Sequence, residues 1–167
     1  MHGAYRVIGV NRLHRTESCW QVPLTNALFR HAVLRFCYQG GISFTPVPNG
    51  SATELRPGDL MFRPLGHVDC ATCLDPAGEI FMLVFEAEDA DEPPCLLNMP
   101  LAMPETAGRV STPDPEATRR SLLRIQQEIE SKPLGWQVIV QALAAQLMVD
   151  FVRLATPAGA ASPAGRE

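Results

Sequence analysis

The chain lacks a long apolar run. "IFMLVF" at 80–85 is far too short for a bilayer, and "VIVQALAAQLMV" at 138–149 is short and broken by glutamines, against the roughly 20 residues a spanning helix needs. It also lacks a basic surplus. Fourteen Lys and Arg stand against 18 Asp and Glu, for a net charge of −4, so this piece is not expected to hold nucleic acid by itself, since phosphate binding calls for a basic surface. The densest basic group is only "TRRSLLR" at 118–124. The opening "MHGAYRVIGVNR" has no unbroken apolar core of the export type. Cytoplasmic residence is the expectation, with the odd count of five cysteines kept as free thiols. Nucleophile elbows, phosphate-cradling glycine loops and catalytic triads are missing too.

What is present divides by texture. The 167 residues suit one domain with a core of its own. Up to about residue 101 the chain reads as short strands. "YRVIGV", "ALFRHAVLRFCY", "GGISFTPV", "RPGDLMFRP" and "AGEIFMLVFEAE" are separated by turn chemistry at "PNG" (48–50), Pro57-Gly58 and Asp75-Pro76. This spacing predicts an antiparallel sandwich or barrel. The acidic "EAEDADE" (86–92) reads as a solvated loop, and "PPCLLNMPLAMP" (93–104) as an edge strand or a draped segment.

From about 112 the period becomes helical. Thr112-Pro113 reads as a cap, with Asp114 and Glu116 at the positive end of the dipole. Leu122, Ile125 and Ile129 form the stripe of a first helix that Lys132-Pro133 ends. A second helix is expected over about 134–154. Its stripe is Trp136, Val140, Leu143, Leu147, Phe151 and Leu154, widened by Val138, Ile139, Ala142, Ala145, Val149 and Val152. A helix apolar over so much of its circumference needs cover from two sides. The expectation is a homodimer through these helices, with the stripe at the interface. The tail at 156–167, rich in Pro, Ala, Gly and Ser, reads as a linker.

The segment "LRPGDLMFRPLGHVD", with Gly58, Pro64 and Gly66, resembles the second motif of the cupin superfamily, and "YQGGISFTPV" resembles the turn closing the first. A barrel of this kind followed by two helices resembles, loosely over residues 14 to 155, the N-terminal effector-binding and dimerisation domain of AraC-type transcription regulators. The resemblance implies an α+β fold: an antiparallel cupin-type jelly-roll barrel (about 1–101) with a C-terminal antiparallel helix pair (about 112–155). No helix-turn-helix pair follows residue 155 in this sequence, so DNA contact is expected only through a domain outside it.

The same resemblance tests for metal. Cupin enzymes hold a transition metal with two histidines and a glutamate from the first motif and a histidine from the second. Here Asp69 stands at the second-motif histidine position, Val33 or Leu34 at the glutamate position, and "NALFRHA" offers His31 with no H-x-H. Three of four ligands are missing, and a first-row metal needs about three or four converging donors. Neither a metal nor any other cofactor is expected. The C-x-x-C of Cys70 and Cys73 fails as zinc or redox motif, because on an extended strand the two thiols face opposite ways.

That alternation puts His67, Asp69, Ala71 and Cys73 on one face. If Asp69 occupies the ligand position, the face looks into the barrel, where His67 and Asp69 either orient a small molecule or satisfy each other. Tyr38 and Trp20 are candidates to line the barrel, and Arg63 is a candidate anchor for a carboxylate. His31 and Arg35 share a face with Phe29, Val33 and Cys37, opposite the more apolar Leu28, Ala32, Leu34, Phe36 and Tyr38. The second face should be the packed one, which leaves His31 and Arg35 mainly to solvent. The functional expectation is a non-enzymatic sensor that binds a small-molecule effector, pairs through its helices and touches no membrane. The rivals are a metal-dependent cupin enzyme and a dimerisation module that blocks a full-length regulator.

Overall fold

A computed structural model describes residues 5–14, 21–23, 31–47, 49–64, 66, 69–87 and 108–156. Among the described residues nine strands precede two helices: β1 (Tyr5–His14), β2 (Gln21–Pro23), β3 (His31–Gln39), β4 (Ile42–Pro46), β5 (Thr53–Leu55), β6 (Asp59–Arg63), β7 (Asp69–Cys73), β8 (Glu79–Ala87), β9 (Gly108–Ser111), α1 (Pro115–Ser131) and α2 (Trp136–Ala155). One sheet has the order β1-β8-β3-β6-β9 and the other β2-β7-β4-β5, every pairing antiparallel. Except for the β4–β5 hairpin, each of the first eight strands lies in the opposite sheet from its predecessor, and that alternation is what rolls the chain into a jelly roll.

The turns sit where the turn residues predicted them. β4 and β5 pair Phe44 with Thr53 across the "PNG" connection. Gly78 N–H donates to the Asp75 carbonyl at 3.0 Å, and the Asp75 side chain accepts from Ala77 N–H at 2.9 Å. Gly40 has φ +78, and a Cβ there would lie 2.6 Å from the Cα of Gly78. Only glycine allows both the left-handed backbone and that approach of two turns.

The larger apolar core lies outside the barrel. Leu34 and Phe36 of β3, Phe62 of β6, and Phe81, Leu83 and Phe85 of β8 pack from the outer face of the five-stranded sheet. Leu122 and Ile125 of α1 and Val140, Leu147, Met148 and Phe151 of α2 cover them. Each such side chain, fully buried, contributes roughly 1.5–3 kcal/mol. A second core of Cys37, Ile42, Phe44, Leu55, Met61, Ala71 and Ile80 lies between the two sheets. The molecule therefore has three layers: helices, sheet and sheet.

Two boundaries differ from expectation. The barrel does not stop near 101: β9 adds an edge strand, pairing Ser111 with Asp59 of β6. The cap of α1 is Asp114, which accepts from Ala117 N–H at 2.9 Å, while the Thr112 hydroxyl turns to that of Thr118 at 3.2 Å. The carboxylate is the better acceptor for an orphan N–H in the first turn. Lys132, in the left-handed conformation at φ 46, ends α1 just before Pro133. Of the loop expected at 86–92, Glu86 and Ala87 instead belong to β8; residues 88–92, the segment 93–104, the tail beyond 156, Trp20 and His67 lie outside the described residues.

Candidate functional site inside the barrel

Strand β3 is buried on both faces, for two reasons. Its even positions, Ala32, Leu34 and Phe36, face the helices; its odd positions, Val33, Arg35 and Cys37, face the opposite sheet. Arg35 is therefore not solvent decoration, as the sequence suggested, but fully buried at 0% exposure. The sheet is covered on one side by helices and on the other by a second sheet, and one strand's pattern cannot reveal the second cover.

What neutralises Arg35 comes from across the barrel. Its Nη1 donates to Asp69 Oδ2 and its Nη2 to Asp69 Oδ1, each at 2.6 Å. Asp69 opens β7 in the other sheet, so this bidentate pair joins the two sheets. The Arg35 guanidinium also lies over the Phe44 ring, 3.7 Å from its centroid, and its Nε has no hydrogen-bond partner. Burial draws the Arg35 pKa down, and the hydrogen bonds and charge of Asp69 oppose that shift.

Arg63, the candidate carboxylate anchor, is also inside, at 1% exposure. In the β3–β6 ladder Val33 opposes Arg63 and Arg35 opposes Met61, so the two arginines are diagonal neighbours on one inward face. Burial, then repulsion from Arg35, lowers the Arg63 pKa to about 10, with Asp69 opposing. Arg63 Nη2 donates to the His31 carbonyl at 3.2 Å. The His31 imidazole itself is partly buried, with Nε2 3.9 Å from Glu86 Oε1 and Nδ1 without a hydrogen-bond partner. His31, Arg63 and Asp69 thus gather at one end of the barrel around Arg35, whose importance the sequence pattern hid. Asp69 is satisfied within the protein by Arg35; its expected partner His67 lies outside the described residues.

Other candidates lie elsewhere. Tyr38 does not line the barrel. It continues the even, outer face of β3, with its ring under the Arg119 guanidinium at 4.8 Å and its hydroxyl bonded to the Glu116 carboxylate of α1. Ala71 and Cys73 of β7 are buried while Cys70 and Thr72 are half-exposed, so the two thiols of the C-x-x-C do face opposite ways. Among the described residues no group of three or more His, Cys, Asp or Glu could hold a metal ion.

The predicted helical stripe also divides. Val140, Leu147 and Phe151 are buried against the barrel and α1, and Trp136 and Leu143 pack partly against the same core. Those five cover the chain's own sheet, so they are not a free interface. Leu154 remains exposed, together with Val138, Ile139, Val149 and Val152. By length and composition α2 also meets the requirement for crossing a membrane, contrary to the expectation from the shorter run at 138–149. Outside the barrel, a cleft of about 470 Å³ lies between α1, α2 and Leu60, with Ser121, Asp150 and Arg153 on its walls.

No family model matches the sequence, and no curated protein matches it. Solved structures do resemble the fold. ToxT from Vibrio cholerae O395, bound to (E)-4-(8-methylnaphthalen-1-yl)but-3-enoic acid, is similar over 90% of this chain and 56% of its own, at 8% identity and a TM-score of 0.47. YhaK from Escherichia coli is similar over 66% of this chain and 44% of its own, at 12% identity and a TM-score of 0.44. The Schizosaccharomyces pombe Cnp3 cupin domain is similar over 51% of this chain and 57% of its own, at 12% identity and a TM-score of 0.37. The chain spans about half the length of these solved chains. Its own strand order is that of a jelly roll, and the fold is α+β: a cupin-type barrel carrying a C-terminal helix pair.

Proposed function

We propose that this chain is the ligand-sensing and dimerisation domain of an AraC-type transcription regulator, cytoplasmic and without enzymatic activity. The observation that carries the reading is the bidentate Arg35–Asp69 pair at 2.6 Å. Asp69 stands where the cupin pattern gives an enzyme its second-motif histidine. Here that position serves a buried guanidinium, with a second, Arg63, on the same inward face. Two cations in a low-dielectric interior oppose a divalent metal: at 4 Å, like unit charges repel by roughly 4 kcal/mol at an effective dielectric constant of about 20. A polar cluster in an otherwise apolar barrel suits the orientation of a small organic effector.

The output lies in the helices. β3 carries Arg35 on its inner face and Leu34 and Phe36, which support α1 and α2, on its outer face. An effector that favours one arrangement of the sheets over another biases the helix pair through that strand. On the outer side of α2, Val138, Ala142, Val149 and Val152 are exposed, and with the buried Ala145 between them they step by +4, +3, +4, +3, close to the spacing of a coiled-coil seam. In this reading a second copy packs there, and DNA is reached through a domain outside this sequence.

Metal analysis and sedimentation of the purified protein test the proposal. The expected result is far less than one metal ion per chain and a homodimer. Stoichiometric iron, manganese, nickel or zinc would overturn it in favour of a metal-dependent cupin enzyme.

A further inference from the structure

We propose that the cleft between α1 and α2 binds a small apolar α-amino acid as its zwitterion. The site lies outside the barrel, so the proposal stands apart from the effector reading above.

The cleft gives such a molecule room. The early turns of α1, the last turns of α2 and Leu60 of β6 enclose about 470 Å³, within the roughly 300–1,000 Å³ usual for small-molecule sites. Its floor is apolar. Leu60 and Leu147 are buried there, and Ala117, with only a methyl group, leaves space that a longer side chain would fill.

Groups of both signs stand on the walls. Asp150 and Arg153 are exposed and lie three residues apart on α2, so they share one side of the helix, about 5–6 Å apart at their Cβ atoms. They do not pair with each other. Asp150 Oδ1 accepts from Gln146 Nε2 at 2.9 Å, which leaves Oδ2 open. Arg6, Arg12, Arg35, Arg119 and Arg124 each hold a carboxylate; among the described residues Arg153 holds none. The Ser121 hydroxyl on the α1 wall is likewise uncommitted among the described residues.

Charge selects the ligand. Asp114 and Asp150 face the cleft with a single arginine, Arg153. A simple anion meets two carboxylates there, and a simple cation meets the guanidinium. A molecule with both signs close together satisfies each, and an α-amino acid carries them on one carbon. Its carboxylate takes the planar fork of Arg153 and the Ser121 hydroxyl. Its ammonium donates to Asp150 Oδ2, and its side chain covers Leu60 and Leu147. Bound in this way, it ties the start of α1 to the end of α2 over the sheet.

Calorimetric titration of the full chain with L-leucine and L-phenylalanine tests the proposal. Leucinamide, N-acetyl-leucine and glycine serve as controls, lacking the carboxylate, the ammonium and the apolar side chain in turn. Each should bind about tenfold more weakly than leucine, the scale of one charge-assisted hydrogen bond. Arg153→Gln should weaken leucine about tenfold and leave leucinamide unchanged. Asp150→Asn should weaken leucine similarly and leave N-acetyl-leucine unchanged. Both positions are exposed, so both variants should keep the circular dichroism of the wild type. No binding of leucine or phenylalanine to folded wild type would overturn the proposal. So would leucine binding that neither substitution changes, which would place the amino acid elsewhere, the barrel included.

Discussion

Phe151 of α2 lies tilted against Phe62 of β6, their ring centroids 6.1 Å apart. The contact ties the last two turns of α2 to the outer face of the five-stranded sheet and settles which side of the helix belongs to the monomer. Seen along the axis, the side carrying Val140, Leu147 and Phe151 points inward, and the side carrying Val138, Val149 and Val152 points out.

The two sides should therefore respond differently to substitution. Phe151→Ala should destabilise the fold by about 3–5 kcal/mol and Leu147→Ala by about 2–5 kcal/mol, read by urea denaturation. Val149→Glu and Val152→Glu should leave the isolated fold nearly intact but shift sedimentation from dimer to monomer. A Val149→Glu protein that stays dimeric would place the interface elsewhere.

Breaking the barrel's ion pair from either side should be costly. Arg35→Met leaves Asp69 buried without its partner, and Asp69→Ala does the same to Arg35; each should lose about 3–5 kcal/mol. The double replacement Arg35→Met, Asp69→Leu should lose less than either single change, because no buried charge remains. A double-mutant cycle that comes out additive would contradict the close pairing.

Glu79 gives the fold a dependence on acid. It is buried at the start of β8, with Arg12 Nε at 2.7 Å and Arg119 Nε of α1 at 3.0 Å. Burial alone would raise its pKa, but the hydrogen bonds and charges of Arg119 and Arg12 outweigh burial and hold it below the usual glutamate value. A carboxyl whose folded pKa is depressed stabilises above its unfolded value, near about 4.3, and that contribution disappears as pH falls through the folded pKa. Wild type should melt above Glu79→Gln at pH 7, with the gap closing as the buffer is taken towards pH 3. A gap unchanged across that range would show that Glu79 acts by packing alone.

Cys37 should be chemically silent. Burial, with a smaller contribution from Asp59, pushes its thiol pKa up to about 12, so at the pKa of a free thiol it holds roughly a thousandfold less thiolate. Peptide mapping after native iodoacetamide treatment should find Cys37 unmodified when half-exposed Cys70 is labelled. Equal labelling would mean that the barrel opens readily.

Much of the architecture was readable from local chemistry. The turns at Pro57-Gly58 and Asp75–Gly78, the change from strand to helix after 112, and the opposed faces of Cys70 and Cys73 all follow from backbone preferences and side-chain period. The site was legible only in part. Asp69 and Arg63 could be named because a motif and a residue type pointed to them. Arg35 was misassigned and Tyr38 placed on the wrong face, because alternation separates two faces of a strand without saying what covers each.

The sequence by itself determined the turns, most of the strands and both helices, though not β2 or β9, since these depend on neighbours along the chain. Only the tertiary structure decided that β3 is covered on both sides, that Arg35 finds its counter-charge 34 residues away in the opposite sheet, and that one face of α2 is already spent on the barrel. Those outcomes depend on which surfaces meet, and the electrostatic cost of burying a guanidinium can be met by any carboxylate the fold brings within reach.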